Sequence, residues 1–126
     1  MRVAPPEGAE MTAAGYEFYS EALGGTIRFA HQGIGRPIYV TENGIATDDD
    51  ARRVAYLDRA LDAVRACMAD GIPVHSYICW SLLDNFEWTR GFRERFGLVH
   101  VDYETLARTP KPSAHHLGAI ARSGLL

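Results

Sequence analysis

The sequence predicts an α/β fold with a parallel sheet, and three observations predict it. Two short apolar runs, at 38–41 and 74–80, are rich in β-branched and aromatic residues and lack strict polar alternation. A segment of clear helical period lies between them. The order strand, helix, strand implies a right-handed crossover joining two parallel strands. With 126 residues, 47% hydrophobic and 23% charged, the chain is the size of one domain with one core and is too apolar for disorder.

The elements follow in order. Residues 1–19 lack periodicity, are rich in Pro, Gly and Glu, and read as an extended lead-in. Ser20 is placed to cap a helix over about 21–32, with Leu23, Ile27 and Ala30 on one face. Gly24 and Gly25 weaken that helix, and Gly33 is its expected stop. Ile38-Tyr39-Val40-Thr41 reads as a strand buried on both faces, ended by Asn43-Gly44. Asp48, Asp49 and Asp50 put negative charge where a helix dipole favours it. Val54, Leu57, Leu61, Val64 and Met68 then recur at spacings of three and four, before Gly71 and Pro73 end the helix. A second strand runs from about 74 to 80. The segment 96–101 suggests a short hairpin, 109–112 a rigid connector, and Ser113 the cap of a last helix carrying Leu117, Ile120 and Ala121, with Gly124 at its end.

Composition excludes several roles. The balance of 13 basic against 16 acidic residues, 13 − 16 = −3, leaves no basic footprint, so nucleic acid is not an expected partner. Met1 to Glu7 hold one basic residue and no apolar run, so no secretion signal is expected there. No stretch nears the ~18 apolar residues of a membrane span, so no membrane partner is expected. Cys67 and Cys79 stand apart without a paired motif, which suits reduced thiols and a cytoplasmic location. His115 and His116 are adjacent and point to different helix faces, and His31, His75 and His100 add no ligand spacing, so no metal is expected.

Ligand sites in parallel α/β arrays lie at the carboxyl ends of the strands. The first strand ends in Thr41-Glu42-Asn43-Gly44, and the second leads into Trp80-Ser81-Leu82-Leu83-Asp84-Asn85-Phe86-Glu87-Trp88. Taken singly, Glu42 could be a solvated residue before a tight Asn-Gly turn. Trp80, Phe86 and Trp88 could be core, and Asp84 and Glu87 could cap a turn. Their conjunction on one rim is the chemistry of a sugar site, where aromatic faces stack on C–H surfaces and carboxylates take hydroxyls.

Ile38 to Gly44 resembles the nucleophile motif of glycoside hydrolase family 1, the β-glucosidase and β-galactosidase family. Trp80 to Trp88 resembles that family's last barrel strand and the loop after it. The likeness continues through Gly91-Phe92, Arg95 to Leu98, Val101 to Tyr103 and Arg108 to Lys111, and Gly15 to Tyr19 resembles the segment before the sixth barrel helix. It covers nearly all of 12–120. Four positions depart from the pattern: Ser20 stands for a Pro, Ser76 for a Gly, and His115-His116 for an aromatic pair. The resemblance implies the C-terminal part of a (β/α)8 TIM barrel, about strands 7 and 8 with helices 6, 7 and 8. The barrel is incomplete, because a closed one takes ~250 residues. The whole of 1–126 would be one partial barrel region, with 1–19 as lead-in and 20–126 running α-β-α-β-hairpin-α.

The same resemblance implies roles. Glu42 matches the catalytic nucleophile of a retaining β-glycosidase. Trp80 matches the platform under the sugar, Glu87 the carboxylate that takes its hydroxyls, and Trp88 an indole N–H donor beside it; Phe96 could line the same pocket. The substrate would be a β-linked glucoside or galactoside, with no cofactor. The family's general acid/base Glu sits in an Asn-Glu-Pro sequence, and none occurs here. The chain alone is therefore expected to be inactive, and to pair with the complementary barrel portion or with itself. The alternative is a sugar-binding or assembly piece that does not cleave.

Overall fold

Two parallel strands, with helices stacked on one side of them, organise residues 4–124, the part of the chain that the computed structural model describes. In chain order the elements are α1 (Ala22–Ile34), β1 (Ile38–Asn43), α2 (Asp50–Ala69), β2 (Val74–Cys79), a 3-10 turn (Trp88–Arg90), β3 (Val99–Val101), β4 (Arg108–Pro110) and α3 (Pro112–Ser123).

β1 and β2 pair in parallel, Ile38 with Val74, Tyr39 with Ser76, Val40 with Tyr77 and Asn43 with Cys79, with two register irregularities. α2 is the crossover between them, and it begins where the aspartates predict: Asp49 caps it, accepting from the Ala51 amide at 3.0 Å. Ile27 of α1, Val40 of β1 and Val64 and Cys67 of α2 form the buried core, with Leu23, Ile38, Ile72, Val74 and Tyr77 packed on it. Gly24, expected only to weaken α1, has a packing role. A Cβ there would meet the Ala63 Cβ at 3.3 Å, so its absence lets α1 lie close on α2.

Burial of the strands on both faces does not occur. Tyr39 is 60% exposed and Ile78 54%, because α1 and α2 cover one face of the sheet and no described element covers the other. Several local expectations also change. Ser20 does not cap α1: it is fully buried, its hydroxyl donates to Glu21, and the turn before the helix is already helical through the Leu23 N–H to Ser20 C=O bond. α1 runs past Gly33 and ends at Gly35, whose φ of +60° is a left-handed cap. The lead-in is folded back on itself, with Met11 bridged to Glu17 and the Ala13 amide bonded to the Ala46 carbonyl. The hairpin takes its second strand from the expected connector: β3 pairs antiparallel with β4, Val99 opposite Pro110. Strands of three residues that include a proline carry too little pattern to be read locally.

Ser113 caps nothing of its own. Its amide and hydroxyl both donate to the Asp50 carboxylate, each at 2.7 Å, so an acid in the first turn of α2 serves the start of α3. His116 of α3 meets Asp58 of α2 at 2.6 Å. No helix among the described residues is long and apolar enough to cross a membrane, and no described group of His, Cys, Asp and Glu could hold a metal ion.

Candidate functional site

The carboxyl end of β1 is pinned from behind and open in front. The Asn43 side chain donates to the Tyr56 hydroxyl at 3.2 Å and accepts from the Tyr77 hydroxyl at 2.9 Å, which ties the strand end to α2 and β2. Burial raises the pKa of both phenols, so both hydroxyls keep their protons, Tyr77 as the donor to Asn43 and Tyr56 as the acceptor from it. Glu42, one residue earlier, is exposed, and its side chain makes no hydrogen bond or ion pair among the described residues. Gly44 has no room for a side chain: a Cβ there would run into the Trp80 carbonyl. The Trp80 amide in turn donates to the Asn43 carbonyl at 2.9 Å. Glu42 and Trp80 thus stand at the ends of neighbouring strands. Trp80 is half-buried and packs on Ala14, Ala46 and Phe96.

Glu87 and Trp88 sit on the next loop. The Glu87 amide donates to the Gly91 carbonyl at 2.7 Å, closing a tight turn in which Trp88 takes a φ of +49° and is 79% exposed. Glu87 is only 9% exposed, and its Oε1 is buried with no hydrogen-bond partner among the described residues; the same holds for Asn85 Oδ1. A buried carboxylate oxygen without a donor is costly, so this site is one that a donor from outside would satisfy. No described hydrogen bond or ring contact joins Glu87 or Trp88 to Glu42 or Trp80. Phe86 is also no part of the core: it is 56% exposed and meets Phe92 edge-on at 5.2 Å.

Two charged residues matter more than their sequence context suggests. Arg53 is 2% exposed on the same α2 stripe as Leu57, Ala60 and Val64, and an arginine within an apolar stripe is the signal that could have marked it. It donates to the carbonyls of Ile45 and Thr47 after β1 and to those of Arg95 and Phe96 beyond β2. Asp84, read from sequence as a possible turn residue, is buried. It accepts from the Gly97 amide at 2.9 Å and from Lys111 at 3.1 Å, with Arg95 and His100 each at 3.4 Å. Burial lowers the Lys111 pKa, and the Asp84 carboxylate partly offsets that.

Neither cysteine is set up as a nucleophile. Both are free, and burial raises the Cys67 thiol and takes Cys79 to about 11. A cavity of about 710 Å³, lined by Met11, Tyr16, Glu17 and Arg90 among others, contains none of Glu42, Trp80, Glu87 and Trp88.

The family model for glycosyl hydrolase family 1 matches residues 4–124. A β-glucosidase of Agrobacterium sp. is 39% identical over 94% of the chain, and a β-galactosidase of Sulfolobus acidocaldarius is 42% identical over 86%. Among solved structures, an apo β-glucosidase superposes with a TM-score of 0.94 at 60% identity over 97% of the chain. A family 1 β-glucosidase from Thermotoga maritima, solved also with isofagomine lactam, superposes at 0.90 with 32% identity over 94%. The chain spans 28% of the Agrobacterium relative, 22% of the Sulfolobus one, and 30% and 29% of the two solved chains. Its α/β arrangement is accordingly a part of a TIM barrel, with no closed barrel formed.

Proposed function

Because the chain belongs to glycosyl hydrolase family 1, we propose that it supplies the nucleophile side of a retaining β-glycosidase site for β-linked glucosides or galactosides. The observation that carries this reading is Glu42, a carboxylate with no partner among the described residues at the end of β1, beside Trp80 at the end of the neighbouring strand. In the proposed reaction a Glu42 oxygen attacks the anomeric carbon as the glycosidic bond breaks, giving a covalent glycosyl ester that water then hydrolyses. Trp80 would stack under the sugar ring. The Glu87 Oε1, unpartnered among the described residues, would accept from its hydroxyls, and the indole N–H of the exposed Trp88 would donate beside it.

The reaction also needs a second carboxyl ~5–5.5 Å from the first, to protonate the leaving oxygen and later take a proton from water. The Asn-Glu-Pro sequence that would carry it is absent from this chain. We therefore propose that strands from another polypeptide, or from more of the same one, complete the barrel along the open edges of β1 and β2, and that the chain alone does not turn over. The free thiols suit a reducing, cytoplasmic setting for that assembly.

The test is hydrolysis of an aryl β-glucoside by the chain alone and mixed with the complementary barrel portion. Activity is expected only in the mixture, and Glu42→Gln should remove it. Turnover that is unchanged in Glu42→Gln would overturn the nucleophile assignment. The orphaned Glu87 oxygen also favours a second reading, sugar binding without cleavage. Calorimetry with glucose or cellobiose separates the two: binding that is lost in Trp80→Ala, with no turnover in the mixture, selects the second.

A further inference from the structure

Trp80 packs against the buried cluster of Ala14, Ala46 and Phe96, and Phe96 lies in a three-residue segment, Arg95 to Gly97, held from two sides by charged side chains. On one side Asp84 accepts from the Gly97 amide, while Lys111 bonds both Asp84 and, at 2.7 Å, the Gly97 carbonyl. On the other side stands Arg53. Its Nη1 donates to the Ile45 carbonyl at 2.7 Å and the Phe96 carbonyl at 3.2 Å. Its Nη2 donates to the Thr47 carbonyl at 2.7 Å and the Arg95 carbonyl at 3.2 Å. Asp50 holds Nε at 2.9 Å, which orients the plane of the guanidinium.

The four carbonyls belong to two segments about fifty residues apart in sequence, with few backbone bonds of their own between them: the Thr47 amide to Arg95 carbonyl bond, at 3.1 Å, is one. A buried charge is a poor way to gain stability, since an apolar side chain of similar volume often does as well or better. A planar fork with five donors is instead suited to fixing several acceptors at set separations, and an ammonium is not.

We infer that Arg53 is a positioning residue for the proposed sugar site. It holds the loop that leaves the Glu42 strand, which carries Ala46, at a fixed separation from the Phe96 segment, and so fixes the cluster against which Trp80 packs. The inference rests on the glycosidase reading for its purpose but not for its geometry.

The chain's two tryptophans make the geometry measurable. In a Trp88→Phe background Trp80 is the sole indole, and its emission and quenching by acrylamide report how firmly it is packed. Arg53→Lys and Arg53→Met are compared with Leu61→Ala, which weakens the core elsewhere, at a temperature where circular dichroism shows all to be folded. The Arg53 variants should shift Trp80 emission to the red and raise its quenching constant about twofold as the segment loosens, with Leu61→Ala unchanged. Quenching equal to the parent in a folded Arg53 variant overturns the inference, as does an equal change in Leu61→Ala.

If neither Arg53 variant folds, Arg53→Ala is titrated with methylguanidinium. Saturable recovery of Trp80 emission supports the inference; no recovery, or recovery of helix signal without it, overturns it. A failure of the glycosidase reading shows separately, as turnover in the complemented mixture that does not depend on Glu42. That result leaves the Trp80 measurement untouched.

Discussion

The two ends of the molecule's architecture are held by different physics. Behind the sheet, Ile27, Val40, Val64 and Cys67 interlock without a charged group, and the close approach of α1 to α2 depends on a missing side chain at Gly24. At the carboxyl ends of the strands the contacts are polar: Arg53 on four carbonyls, Asp84 on an amide and a lysine, Asn43 between two tyrosines. Apolar packing is non-directional and tolerates small shifts, whereas hydrogen bonds fix distance and angle. The difference teaches where this fold needs cohesion and where it needs accuracy. The accurate end is the one that carries Glu42 and Trp80.

The sharpest way to break the polar end is Asp84→Ala. It leaves the half-buried Lys111 without its counter-charge and the Gly97 amide without an acceptor, and a loss of about 3–5 kcal/mol is expected in urea denaturation. A loss below 1 kcal/mol would mean that the cluster is dispensable. Next comes the apolar end: Leu61→Ala, at a fully buried position, should cost about 2–5 kcal/mol, with no change at the rim. The α3 cap comes third. Burial pushes the Asp50 carboxyl up, but bonds from the Ser113 amide and hydroxyl and from Arg53 outweigh it, so its folded pKa lies below the ordinary value.

A depressed acid contributes stability above its unfolded pKa, of about 4, and loses it as pH falls through the folded value. Asp50→Asn should therefore cost about 1 kcal/mol at neutral pH, the order of a lost helix cap, and that deficit should shrink as the solution is acidified. A deficit independent of pH would exclude the carboxylate as its source. The smallest effect is expected on the uncovered face. Ile78→Ser should change the stability of the chain by no more than about 0.5 kcal/mol, since more than half of that residue is already in water. A larger loss, with a concentration-dependent melting temperature, would show that copies of the chain cover this face in solution.

Much of the fold was legible because its signals are local. The acidic start and apolar period of α2, the apolar runs of β1 and β2, and the final Gly124 all speak through neighbours a few residues away. The motif around Glu42 and the one from Trp80 to Trp88 were legible for the same reason, as continuous strings. Ser20 and Ser113 misled because a serine before a helix has two uses. Here both hydroxyls go to a carboxylate and not to their own helix, Ser20 to Glu21 next door and Ser113 to Asp50 across the fold. β4 was hidden because three residues with a proline have no period to read.

The sequence by itself determined the class of each main element, the parallel order of the two long strands, and which residues stand at their carboxyl ends. Only the tertiary structure decided that the sheet is covered on one face, that Arg53 and Asp84 are internal, and that, among the described residues, Glu87 keeps an unmet acceptor while the Glu42 side chain has no partner. The reason is range. Helical and strand periods are set by the backbone over a few residues. The groups that satisfy Arg53 lie from three to more than forty residues away, and their meeting is fixed only when the strands and the crossover have packed.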